Sequence, residues 1–163
     1  MPAAAGSVSL YDSLRRRFEI AVFVQTPTDG SGKAALDPAL LKPALEKAFR
    51  ERKSLHFKVV STEAEADLTV DTQIEGFLFS ETDPVDMLVG VGAAAMDAAV
   101  QDHFASVEAT FIICDVKTKQ ILWKDKLGAS VTDHTMTEVE SKDKISEKLG
   151  VMLMRAAFGK KKS

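Results

Sequence analysis

The chain has 163 residues, 45% of them apolar and 28% charged, which suits one globular domain with a real core. With 21 basic against 24 acidic side chains the net charge is −3, so no global field draws the protein to nucleic acid. A lone cysteine, Cys114, excludes an intrachain disulfide and a cysteine-based metal site.

The first stretch, MPAAAGSVSLYDSLRRRF, has no apolar run of the length a signal peptide needs, and residues 1–17 read as a disordered segment ahead of the domain. Arg15, Arg16 and Arg17 read as a solvated edge. From Phe18 the pattern FEIAVFVQ predicts a strand, with Phe18, Ile20, Val22 and Val24 on one face and Ala21 and Phe23 on the other. The loop Thr26 to Lys33 ends in Gly-Ser-Gly-Lys, but its glycines are too close together for a phosphate loop and Ala34 stands where a hydroxyl is needed. Asp37 and Pro38 then make a good helix start, and Leu40, Leu41, Ala44, Leu45, Ala48 and Phe49 recur at helical spacing. Pro43 lies inside that pattern, so either the first turn is kinked or the regular helix starts near Lys42.

His56 to Ser61 reads as a short strand, closing a parallel strand-helix-strand unit, and Thr62 to Ala66 as an acidic turn. Asp67 to Ser80 alternates over a long span, with Leu68, Val70, Thr72 and Ile74 inward. At Gly76 the alternation slips, and Phe77 and Phe79 fall on the polar side. Either a bulge at Gly76 absorbs the slip, or both phenylalanines are surface residues that meet the next segment or a partner.

That next segment, Val85 to Val100, is apolar nearly all round apart from Asp86 and Asp97, yet shorter than the roughly 20 residues that span a bilayer. Gly90, Gly92 and Ala95 match G-x-G-x-x-A, but an antiparallel hairpin follows them where a dinucleotide fold would repeat its strand-helix-strand unit. One reading is a small-residue helix or loop packed on the sheet. The sharper one is a surface for self-association or for docking to a membrane protein.

Val107 to Val131 reads as two long strands around a tight turn opened by Asp115, whose carboxylate accepts an N–H two residues on. Phe111 to Cys114 is apolar on both faces, which marks an interior strand. The second strand puts Ile121, Trp123, Leu127, Ala129 and Val131 on one side. Glu138 to Phe158 is a helix with Ile145, Leu149, Met152, Leu153 and Ala156 as its buried stripe. Gly159 ends it, and Lys160, Lys161 and Lys162 make a basic tail.

The expected fold is α+β, a two-layer sandwich. A mixed sheet of about five strands carries two main helices on one face, in the order β-α-β-β-insertion-β-β-α. Residues 18–158 form one domain with an apolar insertion at 82–103, and 159–163 form the tail. His56, His103 and His134 are scattered without metal-ligand spacing, and Glu63, Glu65 and Asp67 read as a solvated acidic turn. No G-x-S-x-G elbow occurs, and Cys114 falls inside a strand. No catalytic residue, metal site or cofactor is expected.

Ile20-Ala-Val-Phe-Val24, the helix that follows, Ala66-Asp-Leu68 and Asp115-Val-Lys-Thr-Lys-Gln-Ile-Leu-Trp123 together resemble the periplasmic domains of Gram-negative envelope lipoproteins. The LptE-type lipopolysaccharide-assembly lipoprotein is one member type. The amino-terminal domain of TolB and CsgG-type domains share a similar plan. The sequence departs from that pattern in lacking a lipobox cysteine, in having Lys119 where the hairpin turn usually has glycine, and in the unusual insertion Val85 to Val100. The resemblance implies a non-catalytic binding or assembly component of a periplasmic or outer-membrane complex, anchored to the outer membrane in a longer precursor; a chain complete as written would be cytoplasmic. Its partners would be envelope proteins or copies of itself, with a membrane surface as a further contact and no nucleic acid. The candidate partner-binding residues are Phe77, Phe79, Met87, Leu88, Val89, Val91 and Met96. The alternative is a carrier that holds a lipid or nucleotide between Phe77, Phe79 and the Gly90 to Ala95 stretch.

Overall fold

The computed structural model describes residues 9–30, 36–53, 55–80, 103–133 and 137–159. In chain order its elements are α1 (Tyr11–Leu14), β1 (Ile20–Val24), β2 (Thr28–Asp29), α2 (Pro38–Glu51), β3 (Phe57–Val59), a 3₁₀ turn at Glu63–Glu65, β4 (Leu68–Ser80), β5 (His103–Asp115), β6 (Ile121–Asp133) and α3 (Glu138–Phe158). The six strands form one sheet in the order β3-β1-β4-β5-β6. β2 continues along the β4 edge that β1 leaves after Val70. β1 is parallel to β3 and β4, whereas β4, β5 and β6 run antiparallel. This is the expected α+β fold with a mixed sheet, the two-residue β2 being the strand that alternation was too short to reveal.

The core lies between the sheet and the two long helices. Ile20, Val22 and Val24 from β1, Leu68, Val70 and Ile74 from β4, and Phe111 and Ile113 from β5 meet Leu41, Leu45 and Phe49 of α2 and Ile145, Leu149 and Leu153 of α3. At the start of α2, Asp37 Oδ1 accepts the Ala39 N–H at 2.9 Å and Pro38 occupies the first turn, where no donor is missed. The helix runs through Pro43 without a break. The acceptor that loses its N–H partner is the carbonyl of Ala39, an exposed residue that water reaches.

α3 starts with a reciprocal capping box: the Glu140 N–H donates to Thr137 Oγ1 and the Thr137 N–H to Glu140 Oε1, both at 3.1 Å. Its buried stripe is turned slightly from the expected one. Met152 and Ala156 are half-buried at the flank, while Met154, Ala157 and Phe158 go inside. The rings of Phe49, Phe57 and Phe158 meet edge to face at centroid distances of 4.9 to 5.5 Å, tying the ends of α2 and α3 to the start of β3.

Three expectations need correction. Disorder through residue 17 does not hold for Ser9 to Arg17. Leu10, at the N-cap of α1, and Leu14, four residues on, are both buried, and the Leu10 N–H donates to the Ala157 carbonyl at 2.6 Å. Phe18 is not a strand residue. The first β1 pair is Ile20 with Phe57, so Phe18 has no neighbouring strand and is 93% exposed. Ile121 leaves the buried side of β6, because the β5–β6 register slips between Ile113 and Cys114 and pairs Ile121 with Cys114 on the opposite face.

The slip at Gly76 is a bulge. Pairing passes from Ile74 with Ala109 to Gly76 with Glu108, leaving Glu75 as the extra residue. Phe77 and Phe79 thereby return to the helix side. In the hairpin turn, Asp115 Oδ1 accepts the Lys117 N–H at 2.8 Å, and Lys119 takes the left-handed conformation, φ 62°, that glycine usually fills.

Candidate interaction surface

Both long helices cover one face of the sheet, and among the described residues no helix lies on the other, here called the bare face. Register places Phe23, Thr69 and Cys114 in one row of the bare face, and Asp71, Ile112 and Lys124 in the next. Farther along β4, Thr110 Oγ1 donates to Glu75 Oε2 at 3.0 Å. Burial, and then the nearby Glu63 carboxylate, push Asp71 above the ordinary carboxylate value. Burial and then Asp71 push the half-buried Cys114 thiol up as well, which disfavours the thiolate a nucleophile would need. No three His, Cys, Asp or Glu side chains converge into a metal-binding group among the described residues. His56 is exposed at the start of β3, and His134 lies outside the described residues.

Of the seven residues put forward for partner binding, Phe77 and Phe79 pack half-buried against the core on the helix side, and Lys142 Nζ sits 5.9 Å from the centre of the Phe77 ring. Met87, Leu88, Val89, Val91 and Met96 lie outside the described residues. The apolar surface that sequence reasoning missed is Leu78, 56% exposed, with Phe104, 37% exposed. Leu78 pairs with Ser106 and Ser80 with Phe104, so the two are diagonal neighbours on the bare face at the far end of the β4–β5 pair. The bulge was the available signal: once Gly76 returns Phe77 and Phe79 to the core, period-two alternation must turn Leu78 outward.

The class so defined is an α+β domain whose mixed sheet of six strands has the two long helices packed on one side. No protein-family model matches the chain, and no curated protein matches it in sequence. Among solved structures it is similar to the PelC dodecamer from Paraburkholderia phytofirmans, with 10% identity, 98% of this chain and 94% of that one covered, and a TM-score of 0.53. It is also similar to protein XCC0632 from Xanthomonas campestris, described as DUF330, with 7% identity, coverage of 83% and 81%, and a TM-score of 0.56. A looser likeness to lipoprotein GNA1162 from Neisseria meningitidis, with 12% identity, coverage of 84% and 94%, and a TM-score of 0.45, has no bearing on function. At these identities what is shared is the fold. No helix among the described residues is long and apolar enough to cross a membrane.

Proposed function

We propose that this chain is a non-catalytic component of the Gram-negative envelope, a lipoprotein-type binding or assembly part that associates with copies of itself or with other envelope proteins. Its place would be the periplasm, held at the outer membrane. The resemblance of Ile20 to Val24, Ala66 to Leu68 and Asp115 to Trp123 to LptE-, TolB- and CsgG-type domains supports the compartment. The fold shared with PelC, a dodecamer, supports self-association.

One observation carries the reading. Leu78 and Phe104 stand exposed on the bare face at the end of β4 and β5. These strands flank residues 81–102, whose sequence supplies Met87, Leu88, Val89, Val91 and Met96. A leucine and a phenylalanine side by side in water, next to a run this apolar, favour a protein contact. The long outer edge of β6 is a poorer candidate. It carries Lys124, Asp125 and Lys126, and Lys148 Nζ donates to the Ser130 carbonyl at 2.5 Å, features that discourage strand addition. The small-ligand alternative loses two of its walls, since Phe77 and Phe79 face the core.

The test is the molar mass in solution by light scattering after size exclusion, for the wild type, for a deletion of residues 84–102, and for Leu78→Ser with Phe104→Ser. The expected outcome is an oligomer for the wild type and a smaller species for both variants, with far-UV circular dichroism unchanged. An oligomer of undiminished mass in both variants refutes the role of this tip.

A further inference from the structure

The opposite end of the molecule carries a second surface. Phe18, 93% exposed, projects beside a groove of about 610 Å³ lined by Glu19, Arg50, Arg52, Lys53, Leu55, His56 and Phe57. Directly ahead of Phe18 come Arg15, Arg16 and Arg17, all exposed. Arg50, Arg52 and Lys53 therefore line the groove beside one exposed aromatic ring, and three more cations immediately precede that ring in sequence, in a chain whose net charge is −3. The acids here are few or engaged. Asp12 pairs with Arg15 at 3.9 Å and Asp67 with Arg17 at 3.4 Å, which leaves Glu19 inside the groove, Glu51 at the end of α2 and Glu46 one turn before Arg50. Among the described residues Arg16, Arg50 and Lys53 have no ion-pair partner.

We propose that this end docks on an anionic phospholipid surface, with Phe18 entering the interface and Arg16, Arg50 and Lys53 lying against the phosphates. The occupant follows from the combination of groups. A phenylalanine left in water gains by entering a lipid interface, and basic side chains around it are attracted by the negative surface. Nucleic acid is less well served. Single strands need a platform of stacking rings, and the other ring in the groove, Phe57, is engaged by Phe49 and Phe158 at 4.9 Å each. The framework behind the surface is firm. Arg52 Nη2 donates to the Phe158 carbonyl at 3.4 Å, and Ser9 Oγ donates to the Gly159 carbonyl at 2.7 Å, so both ends of the described chain are fastened here. Gly159 is followed in sequence by Lys160, Lys161 and Lys162. The inference stands apart from the proposed self-association, because no residue of the Leu78 and Phe104 tip takes part.

The test is co-sedimentation of the full chain with vesicles of phosphatidylcholine alone or mixed with phosphatidylglycerol. Binding to the mixed vesicles only, falling steeply with added salt, is the expected result. Phe18→Ala should weaken it about tenfold, and Arg50→Glu with Lys53→Glu by more than about tenfold, given roughly fivefold per lost basic charge. All three side chains are exposed, so circular dichroism should be unchanged. Phe18→Trp should bind and shift its emission to the blue on the mixed vesicles, against a constant background from Trp123, which is 1% exposed. Binding unaffected by Phe18→Ala, equal binding to both kinds of vesicle, or binding of single-stranded DNA in preference to mixed vesicles would overturn the proposal.

Discussion

Replacing Asp67 tests how the parallel half of the sheet is held. Asp67 stands just before β4, and its Oδ2 accepts the Ala21 N–H of β1 at 2.9 Å, while its own N–H donates to the Ala21 carbonyl at 2.7 Å. The same Oδ2 lies 3.4 Å from Arg17 Nη2, with the two side chains 27% and 44% exposed. Asp67→Ala strands a part-buried backbone donor, a loss of about 1–3 kcal/mol, and removes an ion pair that solvent screening reduces to about 0.5 kcal/mol. The sum is about 2 kcal/mol, or a Tm lower by roughly 4–8 °C for a chain of this size. Asp67→Asn keeps an acceptor for Ala21 and loses only the ion pair, so its Tm should fall by about 1–2 °C, as should that of Arg17→Ala. Differential scanning calorimetry of the three variants decides the matter. If Asp67→Asn proves as damaging as Asp67→Ala, charge and not the hydrogen bond to Ala21 holds β1 to β4, and the reasoning fails.

Two other substitutions probe the bare face and the helix pair. Burial and then Glu63 raise Asp71 above its ordinary 3.8, so its charged form disfavours the fold above the raised value, and that penalty fades as pH falls through it. Asp71→Asn should therefore raise the neutral-pH Tm slightly, and the gain should vanish in acid; a gain that persists unchanged at low pH rules out the electrostatic cause. A Cβ on Gly150 would lie 3.1 Å from Ala48 Cβ and 3.2 Å from the Ala44 carbonyl oxygen, so Gly150→Leu must push α3 away from α2 at a loss on the order of 3 kcal/mol. Urea unfolding should show it, and an unchanged midpoint would mean that the helices are not in close contact there.

What the sequence revealed depended on how local the determining signal was. The extent of α3 was legible because its apolar periodicity and its closing glycine lie within Glu138 to Gly159, although the capping box at Thr137 went unread and the buried stripe was placed slightly off its true face. The Asp115 turn was legible for the same reason, since its hydrogen bonds span only a few residues. The bulge at Gly76 was visible as a break in alternation, but which face Phe77 and Phe79 returned to was not, because that depends on pairing with Val107 and Ala105 some thirty residues away. Phe18 failed for a related reason. Its alternation with Ile20 was sound, yet a strand also needs a neighbour, and β3 begins pairing only at Phe57. The basic groove was the least legible feature, because it brings Phe18 and Glu19 beside the end of α2 only after β1 and β3 have paired in parallel. Read alone, the three arginines were an ordinary solvated run.

The two proposed contacts sit at opposite ends of one ladder. Phe18 precedes the first residue of β1, whose Val22 is level with Leu68 at the start of β4. From there β4 runs 13 residues to Ser80, about 40 Å at roughly 3.3 Å per residue. β5 pairs with it along the whole distance and β6 pairs with β5, so the reach from the Phe18 end to the Leu78 and Phe104 tip is set by backbone hydrogen bonds and not by a linker. Such a spacer changes length in a restricted way. One residue added to β4 without a bulge turns every later side chain to the other face, whereas two added to each paired strand raise the tip by about 7 Å and preserve the faces. The bulge at Gly76 already holds one extra residue. Pairing Glu75 opposite Glu108 without a bulge would move every later residue one place and send Phe77 and Phe79 to the bare face and Leu78 to the helix side, whereas removing Glu75 would leave the faces as they are. The bulge therefore decides which apolar side chains the tip presents, and the length of the ladder decides how far from a docked surface it presents them.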